Sequence, residues 1–181
     1  MSQLGFYYDI DRCTGCKTCQ IACKDVNDNE VGVLFREVLS FENDTFPNTK
    51  AYSVSMSCNH CEMPYCLANC PATAISKQED GRVIIDQEVC IGCQTCVNVC
   101  PYGAPSYIPE RKVSGKCDLC LALVQNGEQP ACVASCLMRA IEWGDISELR
   151  SKHSNNADIV GIPSSEQTNP NVTFKLHRSL L

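Results

Sequence analysis

Aromatic residues make up only 7% of this 181-residue chain, with a single tryptophan. That leaves an apolar core short of large side chains and leaves room for something else at its centre. A basic surplus is also missing: 15 Lys and Arg stand against 21 Asp and Glu, a formal charge of -6. No electrostatic footprint for phosphate backbones exists, which excludes nucleic acid as the expected partner. No stretch approaches the roughly 18 consecutive apolar residues of a membrane span. The polar start MSQLGFYYDIDR lacks the charged and apolar regions of a signal peptide, so the chain by itself is expected neither to cross a membrane nor to enter the secretory route. The length fits one large or two small domains.

What the chain has in excess is cysteine, 16 residues in four groups of four with none left over. The first group, Cys13, Cys16, Cys19 and Cys23, and the third, Cys90, Cys93, Cys96 and Cys100, share the spacing C-x-G-C-x-T-C-x3-C. The second, Cys58, Cys61, Cys66 and Cys70, and the fourth, Cys117, Cys120, Cys132 and Cys136, both read C-x2-C, an insert, then P-x-C-x3-C, with Pro64 and Pro130 in matching places. The sequence therefore carries two interleaved internal repeats.

C-x2-C-x2-C-x3-C followed by proline is the bacterial ferredoxin pattern, in which three thiolates bind one 4Fe-4S cube and the fourth reaches a neighbouring cube. In a tight loop three cysteines converge on one point, Gly15 or Gly92 permits the close turn, and the chain then enters a helix. Pro71 and Pro101, after Cys70 and Cys100, fit a helix first turn, where a missing N–H costs nothing. Between the second and third groups, PATAISKQEDGRVIIDQEV reads as a short hairpin turning at Asp80-Gly81. Residues 58–105 thus form one expected two-cluster module. A second is closed in space by distant segments, 1–30 and 112–146, with FYYDID leading into Cys13 as VIID leads towards Cys90. The fold class is α+β, two ferredoxin-like modules in pseudo-two-fold relation, with a structural β-hairpin insertion at 31–57. A short helix capped by Ser147 and an extended C-terminal arm with a strand-like NVTFKL occupy 147–181, the arm lying on a partner or across the modules.

Cross-pairing within each module assigns the ligands. Cys13, Cys16 and Cys19 go with Cys136, and Cys23 goes with Cys117, Cys120 and Cys132. Cys58, Cys61 and Cys66 take Cys100, and Cys70 joins Cys90, Cys93 and Cys96. Four 4Fe-4S clusters follow, with no iron position left open for substrate, so the chain is expected to transfer electrons and not to catalyse. Disulfides are the poorer alternative, because cysteines three residues apart cannot all find partners at bonding separations. Four zinc sites of four thiolates each, in an interaction module, would also use every thiol, and an independent soluble polyferredoxin is a further alternative. His60 is expected to be a hydrogen-bonding neighbour of the ligands, and His153 and His177 to have no chemical role. Tyr102, Tyr107 and Trp143 should pack. Lys17, Lys24, Arg111, Lys112 and Lys116 flank the cysteine groups, either offsetting cluster charge or facing solvent.

With GFYYDIDRCTGCKTCQIACKD, SCNHCEMPYC, DGRVIIDQEVCIGCQTCVNVCPYGAP, KCDLCLALVQNGEQPACVASC and NPNVTFK in place, nearly the whole chain resembles the iron-sulfur subunit of the dimethyl sulfoxide reductase family of membrane-bound molybdopterin oxidoreductases. One departure is Leu137, which follows Cys136 where many relatives have proline. The resemblance implies a complex with a molybdopterin-containing catalytic subunit and an integral membrane, quinol-oxidising anchor subunit. It puts the cluster of Cys13, Cys16, Cys19 and Cys136 nearest the catalytic subunit and that of Cys70, Cys90, Cys93 and Cys96 nearest the quinol site. It further implies membrane association through partners, on the periplasmic face after co-export with the catalytic subunit, or alternatively on the cytoplasmic face.

Overall fold

In the computed structural model, residues 3–43, 47 and 50–178 are described. The largest sheet is built round β1 (Leu4–Asp9), which pairs antiparallel with β8 (Ile141–Asp145) and parallel with β9 (Val172–Lys175). Its sequence LGFYYD explains the central position: Phe6, Tyr7 and Tyr8 are all buried, as a strand covered on both faces requires. Phe6 and Tyr8 point to one face, where Phe174 of β9 stacks on Tyr8 at 5.7 Å. Tyr7 points to the other and lies flat on His153 at 3.7 Å, beside Ile146 and Leu149 of helix α6 (Ile146–Lys152).

The remaining sheets are two-stranded. Strands β2 (Arg36–Asn43) and β3 (Lys50–Ser57) form the long hairpin, whose turn lies largely outside the described residues. Strands β4 (Ile75–Lys77) and β5 (Val83–Ile85) pair antiparallel between the second and third cysteine groups. A further hairpin, β6 (Ser106–Ile108) with β7 (Val113–Gly115), was not anticipated. Its signal was present in Pro109 followed by the polar Glu110-Arg111-Lys112 between two apolar stretches, a turn composition.

The helices other than α6 are short and each carries cysteine or follows one directly. They are α1 (Thr18–Val26), α2 (Tyr65–Ala68), α3 (Thr95–Val99), α4 (Leu121–Gln125) and α5 (Ala131–Ala134). Gly15 and Gly92 have φ of 70° and 67°, followed two residues later by Lys17 and Gln94 at 61° and 59°. The loop therefore turns twice through the left-handed region before α1 and α3, and these two helices begin one residue before the third cysteine of each group. Pro64 and Pro130 both occupy the position just before a four-residue helix, α2 and α5.

Two local expectations are corrected. Pro71 and Pro101 do not start helices; they lie in turns after α2 and α3, where a ring that cannot continue a helix ends it. The cap of α6 is Asp145, not Ser147: the Asp145 carboxylate accepts from the Ser147 and Glu148 N–H groups at 2.8 and 3.3 Å, and a carboxylate also complements the helix dipole. The C-terminal arm lies on the chain itself. Ahead of β9, the backbone N–H groups of Glu62 and Met63 donate to Asn169 and Thr168, and Asn171 N–H donates to the Asn59 carbonyl. Residues 179–181 of the arm lie outside the described residues.

Candidate metal centres

All sixteen cysteines are free thiols, so the disulfide alternative has no counterpart in the structure. Their distribution follows the sheets. Strand β1 delivers Cys13, and β5 leads through Asp86 to Cys90. Helix α1 carries Cys19 and Cys23 one turn apart, so the two thiols are offset by about 6 Å along the axis.

Three cavities each gather one quartet from distant segments. Cys13, Cys16, Cys19 and Cys136 line one of about 440 Å³, open solvent included. Cys58, Cys61, Cys66 and Cys100 line a second of about 370 Å³. Cys70, Cys90, Cys93 and Cys96 line a third of about 300 Å³. Cys23, Cys117, Cys120 and Cys132 are electrostatic neighbours: Cys132 and Cys120 act on Cys23, and Cys23 and Cys132 act on Cys117. In this fourth set, Cys23, Cys117, Cys120 and Cys132 are all buried.

Burial sets the thiols' acidity. It pushes Cys23, Cys61 and Cys66 up to about 12 and Cys117 well above its ordinary value. A metal bound by these groups would displace their protons, so loading would release protons. Cys16 and Cys93, in matching places of the repeat, are the two exposed cysteines among the sixteen. Hydrogen bonding lowers the pKa of both, from Thr18 at 3.4 Å and from Thr95 at 3.3 Å. Other donors reach the sulfurs from inside. Backbone N–H groups of Ser114, Leu119 and Ala140 donate to Cys90, Cys117 and Cys136 at 3.4, 3.4 and 3.3 Å, and Thr168 Oγ1 donates to Cys61 at 3.2 Å. N–H···S and O–H···S donors of this kind suit sulfur carrying negative charge.

Among the described residues, no three His, Cys, Asp or Glu side chains form a group that could hold a single metal ion. A mononuclear zinc site draws four thiolates onto one point at about 2.3 Å. Here three of the quartets are spread round cavities, which fits a polynuclear group whose corners stand apart.

The flanking residues sort clearly. His60 is fully buried, and its Nδ1 accepts from the Val83 N–H at 3.0 Å, which leaves the proton on Nε2. Burial, then the charges of Lys116 and Arg82, hold its pKa well below the usual value. Its hydrogen bond goes to backbone and not to a thiol. Tyr102 lines the cavity of Cys58, has its hydroxyl 3.2 Å from Thr168 Oγ1 and donates to the Ser164 carbonyl at 3.3 Å, so it ties the arm to the site. Of the five flanking cations, Lys116 is the buried one. Its Nζ donates to the Val83 and Cys117 carbonyls. Burial alone would lower its pKa, but Cys58, Cys66 and Cys117 around it raise it.

One residue escaped the reading of the sequence. Arg36, at the start of the hairpin treated as structural, is 1% exposed and lies among the thiols. Burial works against its charge, and Cys132, Tyr8, Cys117 and Cys23 more than restore it. Only its position in an apolar-polar alternating strand marked it, and an arginine there reads as a solvent-facing residue.

Sequence comparison finds iron-sulfur domains in the chain. A 4Fe-4S dicluster domain matches residues 49–146, and a 4Fe-4S binding domain matches residues 10–29. The chain is 44% identical over 182 residues to the B component of anaerobic dimethyl sulfoxide reductase of Escherichia coli (strain K12), covering 96% of this chain and 89% of that one. It is 42% identical over 184 residues to the protein of the same description from Haemophilus influenzae, covering 97% and 90%. To the B component of tetrathionate reductase of Salmonella typhimurium it is 32% identical over 173 residues, covering 92% and 69%.

Proposed function

Because the chain belongs to the family of iron-sulfur electron-transfer subunits that includes the B component of anaerobic dimethyl sulfoxide reductase, we propose that its sixteen cysteines hold four 4Fe-4S clusters in a relay between a quinol-oxidising membrane anchor and a molybdopterin catalytic subunit. As a subunit it is non-catalytic. The observation that carries the reading is the gathering of Cys quartets from distant segments round three separate cavities. The ligand sets are Cys13, Cys16, Cys19 and Cys136; Cys23, Cys117, Cys120 and Cys132; Cys58, Cys61, Cys66 and Cys100; and Cys70, Cys90, Cys93 and Cys96.

Bound cubes supply reversible one-electron chemistry, and the protein's own residues do the rest. Cys19 and Cys23 on α1 hold adjacent cubes one helical turn apart, and the pairs Cys132 and Cys136, Cys66 and Cys70, and Cys96 and Cys100 repeat the device. Two modules in pseudo-two-fold relation follow, 58–105 and 1–30 with 112–146. Lys116, beside Cys58, Cys66 and Cys117, lies where the modules meet. The ends of the relay carry the exposed thiols Cys16 and Cys93, and an exposed apolar residue adjoins a cysteine of the same quartet at each end. Leu137 is 76% exposed at the first end and Ile91 66% at the other, and apolar side chains at a redox terminus suit docking partners. The catalytic subunit docks at the Cys16 end and the anchor at the Cys93 end. Among the described residues no helix is long and apolar enough to cross a membrane, so the chain is held at the membrane by its partners. It lies on the periplasmic face after co-export, or on the cytoplasmic face if the complex is not exported.

Anaerobically purified protein should be brown, bleach with dithionite and contain on the order of sixteen irons and sixteen sulfides. Cys132→Ser should remove the signal of one cluster and leave the cluster of Cys93 reducible. Colourless protein with stoichiometric zinc would overturn the proposal.

A further inference from the structure

Arg36 is a fully buried cation surrounded by neutral partners. Its Nη1 donates to the Tyr8 hydroxyl at 3.1 Å and to Ser55 Oγ at 2.9 Å, and its Nη2 donates to Ser57 Oγ at 2.9 Å. The guanidinium also lies over the Phe6 ring at 4.8 Å and the Tyr8 ring at 5.5 Å. None of the ion pairs among the described residues includes it. A buried charge without an opposite charge is strongly unfavourable, so its counter-charge has to come from what the thiols hold. Those thiols belong to two quartets. Ser55 Oγ, which Arg36 contacts, is 3.2 Å from Cys19 Sγ, and the guanidinium acts electrostatically on Cys23, Cys117 and Cys120.

We infer that Arg36 is a counter-cation shared by two neighbouring clusters, that of Cys13, Cys16, Cys19 and Cys136 and that of Cys23, Cys117, Cys120 and Cys132, and that it raises the reduction potential of both. The inference rests on the four-cluster reading above. A thiolate-ligated cube is anionic, and each reduction adds one negative charge. A fixed cation nearby therefore stabilises the reduced form more than the oxidised one, and low dielectric carries the effect to both sites. Arg36 acts as a positioning charge and touches no substrate. It also lessens the repulsion between two adjacent reduced clusters. Lys116 is placed between the second of these clusters and that of Cys58, so it supplies a spatial comparison. The cluster of Cys93, at the far end of the relay, adjoins neither cation.

The test is a redox titration of the intact complex followed by electron paramagnetic resonance, with wild type, Arg36→Gln and Arg36→Lys. Iron content of the wild type is measured first; a shortfall there strikes the four-cluster reading and not Arg36. In Arg36→Gln the two flanking clusters should lose at least about tenfold in the reduced-to-oxidised ratio at fixed potential, 59 mV for a one-electron couple. Arg36→Lys should retain most of that ratio, and the cluster of Cys93 should not move in either variant. Lys116→Gln should shift the clusters of Cys117 and Cys58 and spare that of Cys13. Unmoved potentials, an equal shift in the lysine variant, or a shift spread evenly over all four clusters would overturn the inference. Loading of Arg36→Lys but not of Arg36→Gln supports the requirement for charge. Failure of both to load reduces Arg36 to a packing residue and refutes it.

Discussion

Phe174→Ala tests whether the C-terminal arm is a working part of the core. Phe174 is 1% exposed on β9, opposite Tyr8 of β1 in parallel register, with the rings 5.7 Å apart and 25° from parallel. Truncating a buried phenylalanine costs about 3–5 kcal/mol, of which about 0.5–1.5 kcal/mol is the ring pair. A protein that loses metal on unfolding does so irreversibly, so the loss is read as a rate and not as an equilibrium midpoint. If one third of it falls on the unfolding step, the barrier drops by about 1–1.7 kcal/mol and unfolding accelerates roughly 5- to 17-fold. Cluster bleaching in guanidinium chloride under anaerobic conditions measures that rate. Phe174→Leu, which keeps most of the volume, should fall between the variant and wild type. Val160→Ala at a 71% exposed position should stay within about twofold. A Phe174→Ala rate equal to that of Val160→Ala would refute the reasoning and detach the arm from the core.

Two further tests concern backbone and charge. Gly92→Ala would drive a Cβ to 2.2 Å from the Lys112 carbonyl at φ +67°, whereas Gly103→Ala, at φ +61°, meets nothing within 4 Å. The second change therefore costs only the left-handed penalty of about 1–2 kcal/mol. Its protein should load fully, and the first should lose the signal of the Cys93 cluster; equal loading would show that the close approach is not needed. Burial raises the Glu142 pKa, but the hydrogen bonds from Lys152 and His153 at 2.7 and 3.0 Å outweigh it and leave the carboxyl below its ordinary 4.5. A depressed carboxyl stabilises the fold above its unfolded pKa and ceases to do so as pH falls through the folded one. Glu142→Gln should therefore unfold faster than wild type at about pH 5.5, with the gap narrowing by about pH 4. A gap that widened on acidification would contradict the assignment.

The three quartets that line cavities were legible because the ferredoxin pattern has a fixed period. Three-residue spacing with glycine just before the second cysteine requires a left-handed turn, and Gly15 and Gly92 supply it at φ 70° and 67°. The same rule read Pro71 and Pro101 the wrong way round, since proline after a cysteine suits a helix start and a helix stop equally, and only the position of α2 and α3 decides between them. Local hairpins were half legible. The turn at Asp80-Gly81 announced β4–β5, but β6–β7 starts in residues 106–111, which no expected module included. The arm could be read as a strand from NVTFKL and not as a partner of β1, because parallel pairing carries no turn signal linking the two sequences.

Arg36 was illegible for a different reason. Sequence pattern assigns arginine to solvent because an unpaired buried charge is unfavourable, and that inference holds only when the interior is made of side chains. In this chain aromatic residues are few and thiols are buried at the centre, and on the four-cluster reading the clusters would supply a counter-charge that the sequence does not spell out. Burial of Arg36 among Phe6, Tyr8, Ser55 and Ser57, in none of the ion pairs among the described residues, then becomes the expected outcome of an anionic core. The same logic accounts for Lys116 at the next junction along the relay. An exposed lysine flanking a cysteine group, such as Lys17, carries no such requirement.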